Sequence, residues 1–362
     1  MRPEEDLRTL AAPIPGTALS RRRALQLSAA GLAVGLTVGC APAAPEGPAV
    51  LADWTAADLP LQRGRRVLIT GGNGYPRDGM SGLGYHAALG LARAGASVII
   101  ASRNQALGDE AVRRIRAAVP GSSIAFQRLD LANLSSVAAF TARMRDAGQG
   151  LDLLINNAGV MGRRQREATV DGFERCFATN ILGHFALTAG LLPLLRQGQA
   201  PRIVWVSSLR GANGDLNFND LQLEQEYEYV NAYDQTKLAM LVTALEAQRR
   251  STAAGWGIAS MAAHPGVART RIVLDGPGPD STEGFRFRNL PFMFRDPAQR
   301  VHSILYAAAA PQAVGGHYYG PSGLAGVLGS PGLTRIPEAA ESRAVAGRLW
   351  TTLETLGRTP FA

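Results

Sequence analysis

Short runs of apolar, often β-branched residues alternate with longer amphipathic stretches from about residue 65 to residue 264. Each short run is apolar at consecutive positions, as in a strand that is buried on both faces of a sheet. The predicted strands are residues 66–70, 96–101, 124–130, 151–156, 203–207 and 258–264. The predicted helices are residues 84–94, 105–119, 134–146, 172–196 and 231–252. This alternation predicts parallel βαβ units and an α/β fold class, with helices on both faces of a doubly wound sheet.

The first 60 residues precede this pattern and differ from it in composition. Three arginines at 21–23 lead into an uncharged stretch, residues 24–39, which is short for a membrane-spanning helix and typical of a signal segment. The pattern resembles a twin-arginine export signal. Cys40 after Gly39 resembles a lipoprotein cleavage site, and residues 41–43 (Ala-Pro-Ala) offer an ordinary cleavage site instead.

These features predict a signal peptide at 1–44, an Ala/Pro-rich linker at 45–60 and a single domain at 61–362. The expected location is the periplasm or the outer face of the cell membrane, with a lipid anchor if Cys40 is the cleavage site. The alternative is a cytoplasmic protein with a disordered basic arm and a short anchor helix.

Composition narrows the functional classes. The chain has 362 residues, of which 46% are hydrophobic and 18% charged, as in a globular protein. The net charge is +8, but +2 of it falls in the first 40 residues and no tract joins basic residues to aromatics. Nucleic-acid binding is therefore not expected. The two cysteines, Cys40 and Cys176, leave the domain without an internal disulfide, and the five histidines have no metal-ligand spacing.

The glycines after the first predicted strand indicate a nucleotide site. Thr70 and Gly71 end that strand, and Gly82, Leu83 and Gly84 begin the first helix. Glycine there allows the backbone to approach a diphosphate and to direct N–H groups at it, as in a Rossmann domain.

Several motifs in the same order together resemble the short-chain dehydrogenase/reductase family over roughly residues 64–360. They are Thr70-Gly71 with Gly82-Leu83-Gly84, Asp130-Leu131, Asn156-Asn157-Ala158-Gly159, Asn180, Ser207-Ser208, Tyr233-x-x-x-Lys237 and Pro265-Gly266. Residues 171–174, 180–185 and 346–350 resemble its retinol dehydrogenase and protochlorophyllide reductase branch. The sequence departs from the family where Gly71 and Gly82 lie eleven positions apart instead of four, because residues 74–80 are inserted.

Tyr233 and Lys237 are the candidate centre of the chemistry. They are one helical turn apart on one face, and a nearby ammonium should lower the pKa of the phenol. Tyr233 can then act as general acid or base while Ser208 hydrogen-bonds the same substrate oxygen. The resemblance implies that Lys237 also holds the nicotinamide ribose and that Asn180 anchors a proton-relaying water. Lys237 is the only lysine among 37 basic residues, which suggests that an ammonium is needed there.

The cofactor preference depends on Arg103. It follows the second predicted strand, where a carboxylate would accept the 2′-hydroxyl of NAD and an arginine would pair with the 2′-phosphate of NADP. Residues 102–104 hold no carboxylate, so NADP is expected rather than NAD, although a surface arginine is the alternative. The predicted cofactor-binding residues are Thr70, Gly71, Gly82, Leu83, Gly84, Arg103, Asp130, Leu131, Asn157, Ala158, Gly159, Tyr233, Lys237, Pro265 and Gly266.

The resulting prediction is an NADP(H)-dependent oxidoreductase that interconverts an alcohol and a carbonyl, acting on a CH–OH group. The alternatives are a carbon–carbon double-bond reductase of the protochlorophyllide reductase type and a non-catalytic redox sensor that binds the nucleotide. The expected partner is a small-molecule substrate, an apolar alcohol or carbonyl compound, and residues 272–297 should cover it. The resemblance also implies a homo-oligomer paired through the two long helices.

Overall fold

The computed structural model describes residues 53–323 and 326–361, which include an eight-stranded sheet in the order β3-β2-β1-β4-β5-β6-β7-β8. The strands are β1 (Arg66–Thr70), β2 (Ser97–Ser102), β3 (Ile124–Arg128), β4 (Leu153–Asn156), β5 (Arg202–Val206), β6 (Ala259–Ala263), β7 (Tyr318–Gly323) and β8 (Leu328–Leu333). Strands β1 to β7 are parallel to their neighbours, and β8 pairs with β7 in the antiparallel sense. The predicted doubly wound α/β fold is therefore confirmed.

Helices cover both faces of this sheet. They are α1 (Leu83–Arg93), α2 (Gln105–Ala118), α3 (Leu134–Asp146), α4 (Gly183–Leu195), α5 (Tyr229–Ala254), α6 (Ile272–Asp275), α7 (Thr282–Asn289), α8 (Pro297–Arg300), α9 (His302–Ala309), α10 (Glu338–Glu341) and α11 (Arg343–Gly357). Alternate residues of β1 belong to different cores: Val67 and Ile69 pack with α1, α2 and α9, and Leu68 packs with α3, α4 and α5. This explains why three consecutive residues of the strand, Val67 to Ile69, are apolar.

The order of the strands in the sheet indicates where a ligand site lies. The chain order reverses between β1 and β4, which are adjacent in the sheet although β2 and β3 lie between them in sequence. Ligands in such sheets bind at this reversal, beyond the carboxyl ends of the strands.

The predicted signal peptide and the first part of the predicted linker lie outside the described residues. The end of that predicted linker is packed against the domain. Trp54 is 2% exposed and packs edge-on against Tyr306 of α9, with 5.4 Å between ring centroids. Thr55 then caps a short 3-10 turn, Ala56–Asp58. The packed domain thus includes residues before the predicted start at 61.

The two long helices, α4 and α5, are covered by the chain's own C-terminal helix. Every residue of α4 except Pro193 is buried. The ring of Trp350 in α11 lies edge-on against the ring of Phe185 in α4, with 5.0 Å between centroids. The guanidinium of Arg250 in α5 lies over the Trp350 ring, 4.5 Å from its centroid. Two copies could pair through these helices only by displacing α11. The expected mode of pairing does not fit this packing.

Several predicted boundaries differ from the structure. The predicted helix at 172–196 begins later and contains a π-helical segment, Phe177–Leu182, before α4. The predicted strands at 124–130 and 151–156 are each two residues shorter. Strands β7 and β8 were not predicted, because Pro321 and several glycines interrupt the apolar pattern that marks a strand. Among the described residues, Phe177–Leu195 is apolar and long enough to cross a membrane, and 94% of its most apolar window is buried in the core.

Candidate active site

A cleft of about 760 Å3 opens at the carboxyl ends of the parallel strands. Most of the predicted site residues line it: Gly71, Gly82, Leu83, Arg103, Asp130, Leu131, Asn157, Ala158, Gly159, Ser208, Tyr233, Lys237, Pro265 and Gly266. The other three, Thr70, Gly84 and Asn180, are fully or largely buried behind its wall. The sheet topology therefore brings together residues that are up to 196 positions apart in sequence (from Thr70 to Gly266).

The hydroxyl of Thr70 joins β1 to β4. It accepts hydrogen bonds from the backbone N–H groups of Asn157 and Ala158, both at 2.9 Å. A further hydrogen bond joins the same two residues: the Asn157 side-chain nitrogen donates to the Thr70 carbonyl at 2.7 Å. These contacts fix the two strand ends that form the floor of the cleft.

His184, one of the five histidines without metal-ligand spacing, completes this network. Its Nδ1 lies 2.8 Å from the Asn180 carbonyl oxygen and its Nε2 lies 2.8 Å from Thr70 Oγ1. A carbonyl can only accept, so Nδ1 carries the proton, Nε2 accepts, and Thr70 donates its single hydroxyl proton. Burial lowers the pKa of His184 to about 3, which keeps the ring neutral and the network in this one arrangement.

Two glycines of the motif are required by space. Gly71 has φ +73°, and a Cβ there would lie 2.9 Å from Ala158 Cα. A Cβ at Gly84 would lie 2.5 Å from Asn157 Nδ2 and 2.7 Å from the Gly71 carbonyl oxygen. A side chain at either position would push the strand end, the α1 N-terminus and Asn157 apart.

The inserted residues form a small hairpin that projects from this turn. Arg77 and Met80 exchange two backbone hydrogen bonds of 2.9 Å. Asp78 and Gly79 between them both have positive φ, as in a type I′ turn. At its base the Gly82 N–H donates to the Gly74 carbonyl at 2.7 Å. The two ends of the insertion therefore lie close together in space, and α1 still begins directly after Gly82.

The hairpin contacts both sides of the cleft. On one side, Arg114 of α2 lies 4.4 Å over the Tyr75 ring and donates to the Pro76 carbonyl at 3.3 Å. On the other side, Met80 packs against the apolar cluster of Met161, Val273 and Phe287, and Asp78 lies 3.9 Å from Arg271. Residues 271–294, which line this side, are called the substrate-side segment below. The hairpin thus bridges the nucleotide side and the opposite side of the cleft.

Arg103 and Asp130 lie at the ends of neighbouring strands on one side of the cleft. Arg103 directly follows β2 and is exposed. Asp130 follows β3, and its Oδ1 accepts from the Ala132 N–H at 3.0 Å. The next helix, α3, is capped by Asn133 and not by Asp130: the Asn133 side chain accepts from the Ser136 N–H. No carboxylate stands at 102–104 beside Arg103.

Asn180 lies in the π-helical segment, and residues outside that segment hold its side chain in place. Its side-chain oxygen accepts from the Val160 N–H at 2.8 Å, and its nitrogen donates to the Val160 carbonyl at 2.9 Å and to Thr236 Oγ1 at 3.0 Å. Thr236 in turn donates to the Tyr233 carbonyl at 2.8 Å. A π-helical turn rotates one residue out of helical register, and such turns are frequent at functional sites.

Lys237 is 3% exposed and has few acceptors. Its Nζ donates to the Val206 carbonyl at 2.8 Å and lies 3.6 Å from Met240 Sδ. A Cβ at Gly159 would lie 3.4 Å from the same Nζ and 3.5 Å from Asn180 Oδ1. Glycine at 159 therefore leaves the ammonium open toward the cleft and next to Asn180.

The two serines after β5 have different surroundings. Ser207 is buried, and its hydroxyl donates to the Lys237 carbonyl at 2.6 Å. Ser208 lines the cleft beside Tyr233, and its carbonyl accepts from the Tyr318 hydroxyl at 3.0 Å. Ser207 thus supports α5, whereas the Ser208 hydroxyl accepts from the Arg210 N–H at 3.2 Å and keeps its own proton to donate within the cleft.

The protonation of Tyr233 and Lys237 differs from what the sequence predicts. Burial raises the pKa of Tyr233 to about 12, and the Ser208 hydroxyl opposes this only in part. Burial also lowers the pKa of Lys237 to about 8. Lys237 Nζ lies 5.6 Å from the centre of the Tyr233 ring, and desolvation of the phenolate outweighs its attraction at that distance. In the protein alone, Tyr233 is therefore a phenol at neutral pH.

The substrate side of the cleft is apolar. Met161, Val273 and Phe287 form a small buried cluster, and Tyr233 and Phe294 pack against it. The surrounding polar contacts were not predicted. Tyr229 donates to Glu283 of α7 at 2.6 Å, and Arg210 donates to Asp234 at 2.7 Å.

Cys176 and the five histidines are not among the residues that line the cleft. Cys176 is buried, its thiol donates to the Val160 carbonyl at 3.4 Å, and burial raises its pKa well above the ordinary value. In residues 53–323 and 326–361, no three His, Cys, Asp or Glu side chains converge as a metal site would require.

Comparison with known proteins agrees with this geometry. Residues 65–275 match the family described as short chain dehydrogenase. The chain is 35% identical over 338 residues to polyprenol dehydrogenase of Mus musculus, covering 92% of this chain and 94% of the relative. It is also 35% identical over 326 residues to retinol dehydrogenase 14 of Homo sapiens, covering 86% and 91%.

Solved structures show the same fold. An uncharacterized protein from Mycobacterium Paratuberculosis has a TM-score of 0.69 and 38% identity, covering 85% of this chain and 99% of its own. A short chain dehydrogenase from Escherichia coli CFT073 complexed with NADPH has a TM-score of 0.55 and 22% identity, covering 71% and 96%. The chain belongs to the short-chain dehydrogenase family of oxidoreductases, and its relatives include retinol and polyprenol dehydrogenases.

Proposed function

We propose that this protein is an NADP(H)-dependent dehydrogenase that interconverts an apolar alcohol and its carbonyl compound. The observation that carries the proposal is the convergence of Ser208, Tyr233 and Lys237 on one cleft, with Asn180 directly behind them. The apolar cluster beside Tyr233 supports a substrate with a hydrocarbon body. Two relatives are named for retinol and polyprenol, which are both apolar alcohols.

The chain's own residues fit a dinucleotide. Gly71 and Gly84 let the end of β1 and the start of α1 pack closely, so that Gly71, Gly82 and Leu83 line the cleft where a diphosphate would lie, and Asp130 and Leu131 line it after β3. Arg103 would pair with the 2′-phosphate, which favours NADP over NAD. Lys237 and Tyr233 would hold the nicotinamide ribose. When bound, the nicotinamide supplies the hydride acceptor or donor for the substrate carbon.

The residues of the cleft then handle the proton. In carbonyl reduction, the Tyr233 phenol donates its proton to the substrate oxygen while the Ser208 hydroxyl hydrogen-bonds that oxygen. In alcohol oxidation, the phenolate accepts the hydroxyl proton. A pKa of about 12 leaves the phenol protonated at neutral pH, so reduction starts from the ground state and oxidation requires the proton to leave first. The ammonium of Lys237 stabilises the phenolate once a ligand has placed both groups in contact.

Export remains part of this proposal. The arginines at 21–23, the uncharged stretch at 24–39 and Cys40 support transport out of the cytoplasm with or without a lipid anchor. A dehydrogenase that folds before transport would carry its nucleotide with it, since no replenished pool of NADP is expected outside. Any homo-oligomer would need a surface other than α4 and α5, which α11 covers.

The direct test of the function is Tyr233→Phe. The variant should lose at least about a thousandfold in kcat for reduction of apolar aldehydes, because only the proton donor is removed. NADPH binding, followed by fluorescence titration, should be retained. Product analysis on the wild type separates carbonyl reduction from carbon–carbon double-bond reduction. Near-wild-type activity of the Phe variant would overturn the assignment of Tyr233.

A further inference from the structure

An ion pair joins the turn after Ser208 to the helix that carries Tyr233. Ser208 is followed by a 3-10 turn, Leu209–Asn213, called the serine turn below. Arg210 in this turn donates to both carboxylate oxygens of Asp234, from Nε to Oδ1 and from Nη2 to Oδ2. The two side chains are 33% and 6% exposed, and Arg210 lines the cleft. A bidentate, half-buried ion pair thus lies at the cleft wall, directly beside the residue proposed to transfer the proton.

The serine turn packs against the backbone of α5. A Cβ at Gly214, which follows the turn, would lie 2.5 Å from the Asp234 carbonyl oxygen. A Cβ at Gly211 would lie 3.1 Å from the Lys237 carbonyl oxygen. The turn is therefore in close contact with one face of the helix over residues 234–237. Lifting the turn away from this face would break the ion pair.

The serine turn also orients the Ser208 hydroxyl. The Arg210 N–H donates to Ser208 Oγ at 3.2 Å, and the Gly211 N–H donates to the Ser208 carbonyl at 3.0 Å. The hydroxyl oxygen is thus held by the backbone of the same residue whose side chain holds Asp234. Because the hydroxyl accepts this hydrogen bond, its single proton stays free to be donated within the cleft. Arg210 therefore connects the Ser208 hydroxyl to α5 through two separate contacts.

We propose that Arg210 and Asp234 are positioning residues for the proton transfer at Tyr233, and that their opposite charges balance each other beside the phenol. The Arg210 backbone orients the Ser208 hydroxyl, and the ion pair fixes the distance between that hydroxyl and the phenol. Both hydroxyls must contact the same substrate oxygen, so a small change in their separation reduces the rate strongly. The inference rests on the proposed function, because it assigns the ion pair to the same reaction.

The two charges of the pair act on the phenol in opposite directions. Burial is the main cause of the raised pKa of Tyr233, and the Ser208 hydroxyl opposes it. The Asp234 carboxylate raises this pKa further, and the Arg210 guanidinium lowers it. The other ionisable groups that act on the phenol or on the pair, within the described residues, are Lys237, the Cys176 thiol, the Tyr318 hydroxyl and Glu283 of α7. Removal of one charge of the pair should therefore move the pKa of Tyr233 one way, and removal of the other charge should move it the opposite way.

The pH profile of alcohol oxidation tests this arrangement. With NADP and the apolar alcohol geraniol, kcat/KM should rise with pH as Tyr233 loses its proton. Arg210→Gln removes the positive charge and should move the midpoint of this rise upward by at least about 0.5 pH unit. Asp234→Asn removes the negative charge and should move the midpoint downward by a similar amount. Both variants should lose about tenfold in kcat, because the serine turn is no longer fixed to α5.

Two further variants separate charge, geometry and stability. Arg210→Lys keeps the positive charge but not the planar fork, so the midpoint should stay close to that of wild type while kcat falls. The control Glu246→Gln breaks a matched ion pair with Arg249 on the same helix, in which the two side chains are 12% and 32% exposed. This control should lower Tm about as much as Asp234→Asn does, yet keep the wild-type midpoint and kcat. NADPH binding, measured by fluorescence titration, should be unchanged in all four variants.

The outcomes distinguish the ion pair from the proposed function. An unshifted midpoint in both Arg210→Gln and Asp234→Asn, or shifts in the same direction, would overturn the inference. Absence of turnover in the wild type would refute the proposed function instead. The contact is then tested by NMR of protein labelled in its tyrosine rings, where the Tyr233 resonance is identified by its loss in Tyr233→Phe. That resonance should shift in Arg210→Gln and Asp234→Asn but not in Glu246→Gln, and an unshifted resonance would show that the pair does not act on the phenol.

Discussion

Lys237 is a residue at which function and stability oppose each other. Its ammonium has three protons to donate and finds the Val206 carbonyl and the weak Met240 sulfur as partners. Burial lowers its pKa from 10.5 to about 8. Between these values the unfolded chain holds a proton that the native chain has released, so stability rises with pH in that window. At neutral pH the buried charge costs about 3 kcal/mol at most.

Lys237→Met should therefore raise the free energy of unfolding of the nucleotide-free protein by about 1–2 kcal/mol at pH 7. The gain is smaller than the whole cost because the Val206 carbonyl loses its donor. Urea denaturation at pH 7 and at pH 10 measures the effect, and the gain should shrink at the higher pH, where wild-type Lys237 is neutral. Activity should be lost, and also in Lys237→Arg, because a planar guanidinium does not fit the place of an ammonium. An active Arg variant would show that the lone lysine has no special role.

Arg103 offers a prediction about cofactor preference. Arg103→Ala should weaken NADP at least about tenfold and NAD by much less, because it removes a charge-assisted contact that only the 2′-phosphate can make. Titration of each nucleotide by isothermal calorimetry measures the two changes. Arg113→Ala is a suitable control, since that arginine is also exposed but pairs with Glu110. Equal weakening of NADP and NAD would place Arg103 away from the phosphate.

At the scale of elements, the sequence predicted the parallel strands β1 to β6, which are short runs of mostly apolar residues, and the helix α5, which is a long stretch without proline or glycine. It did not predict β7 and β8, whose Pro321 and glycines carry no periodic signal. The insertion at residues 74–80 was recognised but its hairpin form was not predicted, although the Asp78-Gly79 pair is a known signal for a tight hairpin turn. The role of His184 could not be predicted, since it depends on Thr70 and Asn180 meeting one ring in three dimensions.

The inserted hairpin is the element with the clearest separate prediction. Deleting residues 74–80 joins Asn73 to Ser81, and the close approach of Gly74 and Gly82 at the base makes the deletion compatible with the fold. Because the hairpin bridges α2 and the substrate-side segment, its loss should speed NADP dissociation about tenfold or more with little change in Tm. Stopped-flow displacement of NADPH measures the rate. Arg271→Ala, which removes the contact with Asp78, should give a smaller increase of the same sign. An unchanged dissociation rate after the deletion would show that the hairpin does not retain the cofactor.

At the scale of the whole molecule, stability at acid pH depends on buried histidines that accept a proton much less readily in the folded protein than in the unfolded chain. His184 and His264 are both buried, and burial lowers their pKa values to about 3 and about 4. In the unfolded chain each titrates near 6.5. Above pH 6.5 both states are neutral and the native state keeps its full stability; as the pH falls below 6.5, only the unfolded chain gains protons, so stability is lost until the folded pKa is reached.

The two residues together should cost about 4 kcal/mol of stability between pH 7 and pH 5, since each contributes about 1.4 kcal/mol for every pH step below 6.5. Chemical denaturation at a series of pH values checks this slope. His264→Asn should reduce the slope by about 1.4 kcal/mol per pH unit, because Asn does not titrate. The stability of this variant at pH 7 should drop with the lost contact to Thr334. His264 lies under the ring of Tyr318, at 5.0 Å between centroids, and not among the residues proposed for proton transfer. The acid loss of stability should therefore change in this variant while the pH profile of kcat/KM keeps its shape. A denaturation slope that is the same in His264→Asn and wild type would mean that other groups control the acid limit.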